Sequence, residues 1–207
     1  MELLVYGNDK LGAIANFSLP PFTTCPGKTK FCERFCYGAR NWYRTDRVQQ
    51  GLEDRYEVSK TPQFTDRVIG EIKDKKIKLV RIHTVGDFYS PDYVLKWPQI
   101  FHACSSTKFY CYTRSWRIPE LRNLLETLME VFPNFRPRAS VDYSTHKDKP
   151  EGWATFSTVD GDGKICPHDT GKVMFCRDCG ICWNSFTPIY TRVRWATHSD
   201  NFSEELL

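Results

Sequence analysis

The chain has 207 residues, 41% of them hydrophobic, 14% aromatic and 26% charged, which is enough for one globular domain whose core needs no disulfides. Its 29 Lys and Arg against 25 Asp and Glu leave a net charge of +4, too mild to announce a nucleic-acid binder. No apolar run approaches the ~18 residues of a membrane span, and the start MELLVYGNDKLG lacks the features of an export signal, so a cytoplasmic protein is expected.

Residues 1–24 read as short extended pieces, with turns at Gly7-Asn8-Asp9 and Pro20-Pro21. Helices are predicted over 45–60 and 62–74, the second opened by Thr61-Pro62. KLVRIHTV (78–85) reads as a strand, and SPDYVLKWPQIFHA (90–103) as a helix capped by Ser90. KFYCYTRS (108–115) is a second strand. IPELRNLLETLMEVF (118–132) is a helix with Leu121, Leu124, Leu125, Leu128 and Val131 in one stripe. FRPRASVD (135–142) and WATFSTV (153–159) continue the strands, SFTPIYTRVRW (185–195) suits a last one, and the tail from His198 is polar.

Strands alternating with helices in short steps argue for parallel pairing with right-handed crossovers. An open sheet and a partial β/α barrel both satisfy that order, and the strand faces favour the barrel. Val80-Ile82-Thr84, Phe109-Cys111-Thr113 and Phe135-Pro137-Ala139-Val141 form apolar faces for the helices. The opposite faces, Arg81-His83-Val85, Tyr110-Tyr112-Arg114 and Arg136-Arg138-Ser140-Asp142, are largely polar. A sheet covered by helices on both sides is apolar on both, so polar faces converging on an interior imply a ligand cavity. Two units are expected: a barrel with an N-terminal cysteine loop over 1–160, and a Cys-rich extension over 161–207 packed on the same domain.

Nine cysteines are unevenly placed. Cys104 and Cys111 sit in apolar stretches and read as packing residues. The other seven fall in TTCPGKTKFCERFCYG and KICPHDTGKVMFCRDCGICW, polar loops where clustered thiols in a reducing compartment mean metal or redox chemistry. Cys176-x2-Cys179-x2-Cys182, with Cys166-Pro167 as fourth donor, has the spacing of a [4Fe–4S] site. Zinc, the competitor, usually takes two separate C-x2-C hooks. Cys25-x6-Cys32-x3-Cys36 supplies three thiols and leaves a fourth position for His83, a substrate or a cofactor, unless the trio shares one site with the C-terminal set.

A three-Cys loop after the first strand of a partial barrel resembles the radical S-adenosylmethionine enzymes. In them three cysteines hold a [4Fe–4S] cluster that binds the cofactor, the third stands beside an aromatic residue, as in Cys36-Tyr37, and a Gly-Gly-Glu-like turn matches Val85-Gly86-Asp87. The C-terminal cysteine run is similar to the auxiliary-cluster extensions of that family. The spacing departs from its usual C-x3-C-x2-C. The resemblance implies S-adenosylmethionine as cofactor, held near Tyr37, Gly86, Asp87 and Ser115. LGAIANFSLPPFTTCPG, FCYGAR, VRIHTVGDFYSPDYVLKW and FYCYTRSW, spread over residues 11–116, resemble the phage "gene product eighty-eight" family more closely. That resemblance implies a phage or mobile-element origin and an iron–sulfur, barrel-like fold, without a reaction.

Active sites of β/α barrels collect at the C-terminal ends of the strands, which selects Asp87, Arg114, Ser115 and Asp142, with His83 just below. Asp87 suits an amino group, Arg114 a carboxylate or phosphate, and His83 a proton or iron. Asp87 also suits a helix cap, and Arg114 and Asp142 also suit a mutual pair. The leading expectation is a small radical-S-adenosylmethionine-like enzyme with one or two [4Fe–4S] clusters, acting on a small molecule. The alternatives are an iron–sulfur electron-transfer or binding protein with a redox partner, and a zinc-stapled nucleic-acid binder. For the last, RVIGEIKDKKIKLVR would meet phosphates and Tyr110, Tyr112 and Trp116 would stack on bases, although acids interleave with its lysines.

Overall fold

The computed structural model describes residues 1–6 and 10–191. The turn expected at Gly7-Asn8-Asp9, the end of the strand expected at 185–195 and the tail from His198 lie outside these residues. The described chain is α/β, with seven strands in one parallel sheet: β1 (Ala15–Phe17), β2 (Leu79–Ile82), β3 (Lys108–Thr113), β4 (Phe135–Val141), β5 (Thr155–Ser157), β6 (Lys164–Ile165) and β7 (Ile189–Tyr190). Their order is β1-β2-β3-β4-β5-β7-β6. The first five strands lie side by side in chain order, and all named pairs are parallel. β6 and β7 extend the same sheet, so the Cys-rich segment between them is anchored to it at both ends.

Helix α1 (Lys30–Phe35) lies inside the first cysteine loop, which the sequence reading left without a helix. Helices α2 (Asp46–Lys60) and α3 (Phe64–Asp74) form close to the predicted positions. The helix expected over 90–103 is two: α4 (Pro91–Val94), capped by the Ser90 side chain, and α5 (Trp97–Ala103), which restarts with Pro98 in its first turn. Proline fits there because the first helical N–H groups have no intrahelical acceptor. Helix α6 (Pro119–Val131) buries Leu121, Leu125 and Leu128, each contributing about 2 kcal/mol of burial. Val131, assigned to that stripe, is exposed at the helix end.

The apolar strand faces form one core with these helices. Ala15, Phe17, Val80, Ile82, Phe109, Cys111, Phe135, Ala139 and Val141 pack with Phe64, Val68, Trp97, Phe101 and Leu125. Cys104 and Cys111 are buried in this core, as packing residues would be. The opposite face of β3 and β4 meets α8 (Ile181–Asn184), which follows α7 (Cys176–Cys179). Gly180 joins these two short helices in the left-handed conformation, φ +73°, which glycine adopts without a Cβ penalty.

Candidate functional site: two cysteine loops around a polar cavity

The polar strand faces converge on a cavity of about 1050 Å³. One residue from each of five adjacent strands lines it: Asn16, Arg81, Tyr112, Ser140 and Phe156. Phe156 stacks on Tyr112 with ring centroids 3.9 Å apart, and the Arg81 guanidinium lies 4.4 Å from the Tyr112 centroid. Cys32, Cys36 and Tyr37 close the cavity from the first cysteine loop, together with Arg114.

That loop is held on the strand ends by close backbone approaches. A Cβ on Gly27 would stand 1.9 Å from the Arg114 carbonyl oxygen, and one on Gly38 2.5 Å from a Val85 methyl. Thr29 accepts from the Cys32 N–H at 3.0 Å and donates to Asp142 at 2.7 Å, so one hydroxyl both caps α1 and ties it beyond β4. The Tyr37 hydroxyl donates to the Thr84 carbonyl. Cys25 is deeper than its two partners in the lining. Burial first, then the neighbouring Asp87, pushes its thiol up to about 12. Burial also raises Cys32 and Cys36. Metal binding would have to displace these thiol protons, since the ligand is the thiolate.

Cys166, Cys176, Cys179 and Cys182 all line one small second cavity. Tyr112 and His168 line both cavities, and the Tyr112 hydroxyl donates to the Cys182 sulfur at 2.9 Å. The Cys-rich segment is fastened by Arg138, which is 1% exposed. Its guanidinium donates to the carbonyls of Cys182 and Ile181 at 3.0 Å, Ser185 and Thr187 at 2.7 Å, and Thr155 at 3.2 Å. From the other side the Cys176 N–H donates to the Lys10 carbonyl, and Lys10 pairs with Asp169 at 3.2 Å. Burial pushes the Cys176 thiol up to about 11 against the pull of Lys10 and Arg81.

Among the described residues, no group of three or more His, Cys, Asp or Glu converges closely enough to clasp one metal ion. Thiolates around a single zinc at ~2.3 Å stand roughly 4 Å from one another. A four-iron cube offers each thiolate its own iron, so its ligands are spread more widely around a shared space. The donor chemistry of the second cavity, four soft sulfurs and no carboxylate in its lining, fits such a cluster.

The sequence-derived site residues separate in the structure. His83 was placed on the polar face beside Arg81, but β2 ends at Ile82 and His83 takes φ +59°. That left-handed turn breaks the alternation. The imidazole packs among Phe17, Phe88 and Tyr93, with its Nε2 2.8 Å from the Tyr93 hydroxyl. Burial, then Arg81, lowers its pKa to about 3. It lies outside the cavity lining, as do Asp87, Ser115 and Asp142.

Asp87 accepts from the Phe88 N–H at 2.8 Å, the Thr113 hydroxyl at 2.6 Å and the Arg114 N–H at 2.7 Å. It thereby joins the ends of β2 and β3, and both its oxygens are engaged by the protein. Burial raises its pKa in spite of these donors. Gly86 beside it has φ +80°, and a Cβ there would lie 2.6 Å from Leu19. Ser115 donates to the Phe88 carbonyl at 2.8 Å. Asp142 pairs with Arg114 at 2.7 Å and also accepts from Ser144 and Thr145. Tyr110 and Trp116, assigned to base stacking, are buried at 1% and 3% exposure, and Lys75 pairs with Glu2 and Glu71.

Fold and site together define an α/β protein with a parallel sheet, a large cavity of mixed polar and apolar lining on one sheet face closed by the first cysteine loop, and a second cysteine loop around a small adjacent cavity. The sequence model described as "Gene product 88" matches residues 3–163, and the chain belongs to that family. It is 32% identical over 121 residues to the "Gene 88 protein" of Mycobacterium phage D29, covering 52% of this chain and 50% of that protein. The "Gene 88 protein" of Mycobacterium phage L5 is likewise 32% identical over 121 residues, covering 52% of this chain and 51% of the relative. The chain thus spans about half the length of these relatives. No solved structure matches it. The comparisons give no support to the radical S-adenosylmethionine resemblance. No helix of the described residues is long and apolar enough to cross a membrane.

Proposed function

We propose that the chain is an iron–sulfur enzyme encoded by a phage or mobile element and working in the host cytoplasm. In this reading Cys166, Cys176, Cys179 and Cys182 hold one [4Fe–4S] cluster, and Cys25, Cys32 and Cys36 hold a second beside the polar cavity. The observation that carries it is the convergence of the four C-terminal cysteines, distant by up to 16 positions in sequence, on one small cavity. Such clusters supply one-electron chemistry when bound. The protein's contribution is a cavity that orients a ligand against Cys32 and Cys36 and a fold that fixes both loops to a single sheet.

A catalytic role is favoured over plain electron transfer by the 1050 Å³ cavity, at the upper end of the range for small-molecule sites. A trio of thiols leaves one cluster position open, as a catalytic site requires. The strand order β1 to β5, with the cysteine loop following β1, suits a radical-S-adenosylmethionine-like partial barrel. S-adenosylmethionine then remains the cofactor to test, although Asp87 is buried outside the cavity lining and already accepts three hydrogen bonds from the protein. The test is protein purified without oxygen and examined by visible absorption and electron paramagnetic resonance. Wild type should be brown, and Cys179→Ala should lose the C-terminal signal, whereas Cys104→Ala should keep it. A colourless wild type, or unchanged spectra in Cys179→Ala, would remove the assignment.

A further inference from the structure

Arg81 is 9% exposed, lines the large cavity and has an Nε without a hydrogen-bond partner. Its strongest electrostatic neighbours are the hydroxyls of Tyr37, Tyr112 and Tyr110 and the Cys176 sulfur, none of them a carboxylate, and the Tyr112 ring faces its guanidinium. Cys176, as a cluster-bound thiolate, would be the one anion among them, and it lines the small second cavity rather than the large one. Two other cations at the cavity are already paired: Arg114 with Asp142, and Lys10 with Asp169. Asp169 is the carboxylate among the described lining residues. Arg47 and Arg55 of α2 extend the positive lining; Arg55 donates from Nη1 to the Gly51 carbonyl at 2.7 Å and has Asp54 and Glu71 as acidic neighbours, while its Nε has no hydrogen-bond partner. A guanidinium stays protonated in proteins, and a buried charge without a counter-charge is unfavourable. The neighbouring strand positions on this face are Asn16 and Tyr110, neither of them an anion.

We propose that the cavity binds a nucleoside phosphate, with Arg81 receiving the phosphate and the aromatic lining receiving the base. More than one arginine calls for a multiply charged anion, which guanidinium groups grip with paired N–H donors. Phe31, Phe35, Tyr43 and Phe156 line the same cavity and offer planar surfaces for a ring. The inference names the substrate class of the cavity in the enzyme reading above, but it rests on Arg81 and not on the clusters.

The experiment is calorimetric titration of the anaerobically purified protein with the four nucleoside monophosphates, their diphosphates and the parent nucleosides, with iron and sulfide measured on each sample. At least one nucleotide should bind at least about tenfold more tightly than its nucleoside. Arg81→Gln should abolish that difference with the iron content unchanged, and Arg81→Lys should keep part of it. If no nucleotide exceeds its nucleoside, or if Arg81→Gln binds as wild type does, the proposal falls whatever the iron content. If Arg81→Gln does not fold, the wild-type comparison of nucleotide with nucleoside decides alone. Nucleotide binding by iron-free protein would sustain this inference and remove the cluster reading.

Discussion

The hydroxyl of Tyr112 donates a hydrogen bond to the sulfur of Cys182 at 2.9 Å while its ring carries Arg81 on one side and Phe156 at stacking distance. One side chain of β3 therefore touches both the C-terminal cysteine site and the polar cavity. A donor to a cluster thiolate stabilises the reduced, more negative state and raises the reduction potential. Tyr112→Phe should assemble its clusters, keep its iron content and show a lower potential for the C-terminal cluster in a redox titration. A potential equal to wild type would mean that this sulfur does not ligate iron.

Arg138 is the fastening of the Cys-rich segment. Replacing it with Met removes five hydrogen bonds to carbonyls, one of which, that of Ile181, also accepts from Ser185, and should cost about 3–5 kcal/mol in urea denaturation. Hydrogen exchange should accelerate over residues 181–187 before it does in the sheet. A loss below about 1 kcal/mol would show that the segment is held by other contacts.

His83 gives a pH dependence with a defined sign. The unfolded chain takes up a proton near pH 6.5, whereas the buried imidazole resists protonation down to about 3. The unfolded state binds more protons across that window, so stability is lost as pH falls through it, by about 1.4 kcal/mol per unit. Asp142, whose pKa is lowered because Arg114 and its hydroxyl donors outweigh burial, adds a further loss only below about pH 4. His83→Asn suits the left-handed backbone and should flatten the dependence between pH 6.5 and 4.5. Equal urea midpoints against pH in both proteins would place the imidazole in water.

Gly27 sets the approach of the first cysteine loop to β3. Gly27→Ala brings a Cβ against the Arg114 carbonyl and should destabilise by about 1–3 kcal/mol, with iron lost from the N-terminal site alone. Gly70→Ala, where nothing beyond its chain neighbours and its own helix backbone lies within 4 Å of the added Cβ, is the control and should leave iron unchanged. If both variants retain full iron, the loop does not depend on that contact.

Much of this was legible in the sequence because strand alternation is a short-range property. Val80-Ile82 and Phe109-Cys111 were assigned to the helix-facing core and lie in it, and Arg81, Tyr112 and Ser140 were assigned to a cavity and line it. His83 was misplaced because a single left-handed residue reverses the alternation, and a histidine gives no local warning of it. Arg138 was read as a cavity residue, but its role depends on carbonyls more than forty positions away, which no local pattern shows. The Arg114–Asp142 pair was anticipated as one of two readings, and its further tie to Thr29 required the loop in place. The engagement of both Asp87 oxygens likewise depended on β2 and β3 ending side by side.

The most direct test is iron, zinc and acid-labile sulfide per chain in protein purified without oxygen. Two [4Fe–4S] clusters predict about eight iron and about eight sulfide per chain with negligible zinc. Zinc without sulfide, or neither metal, would contradict the assignment of these seven cysteines to iron–sulfur chemistry.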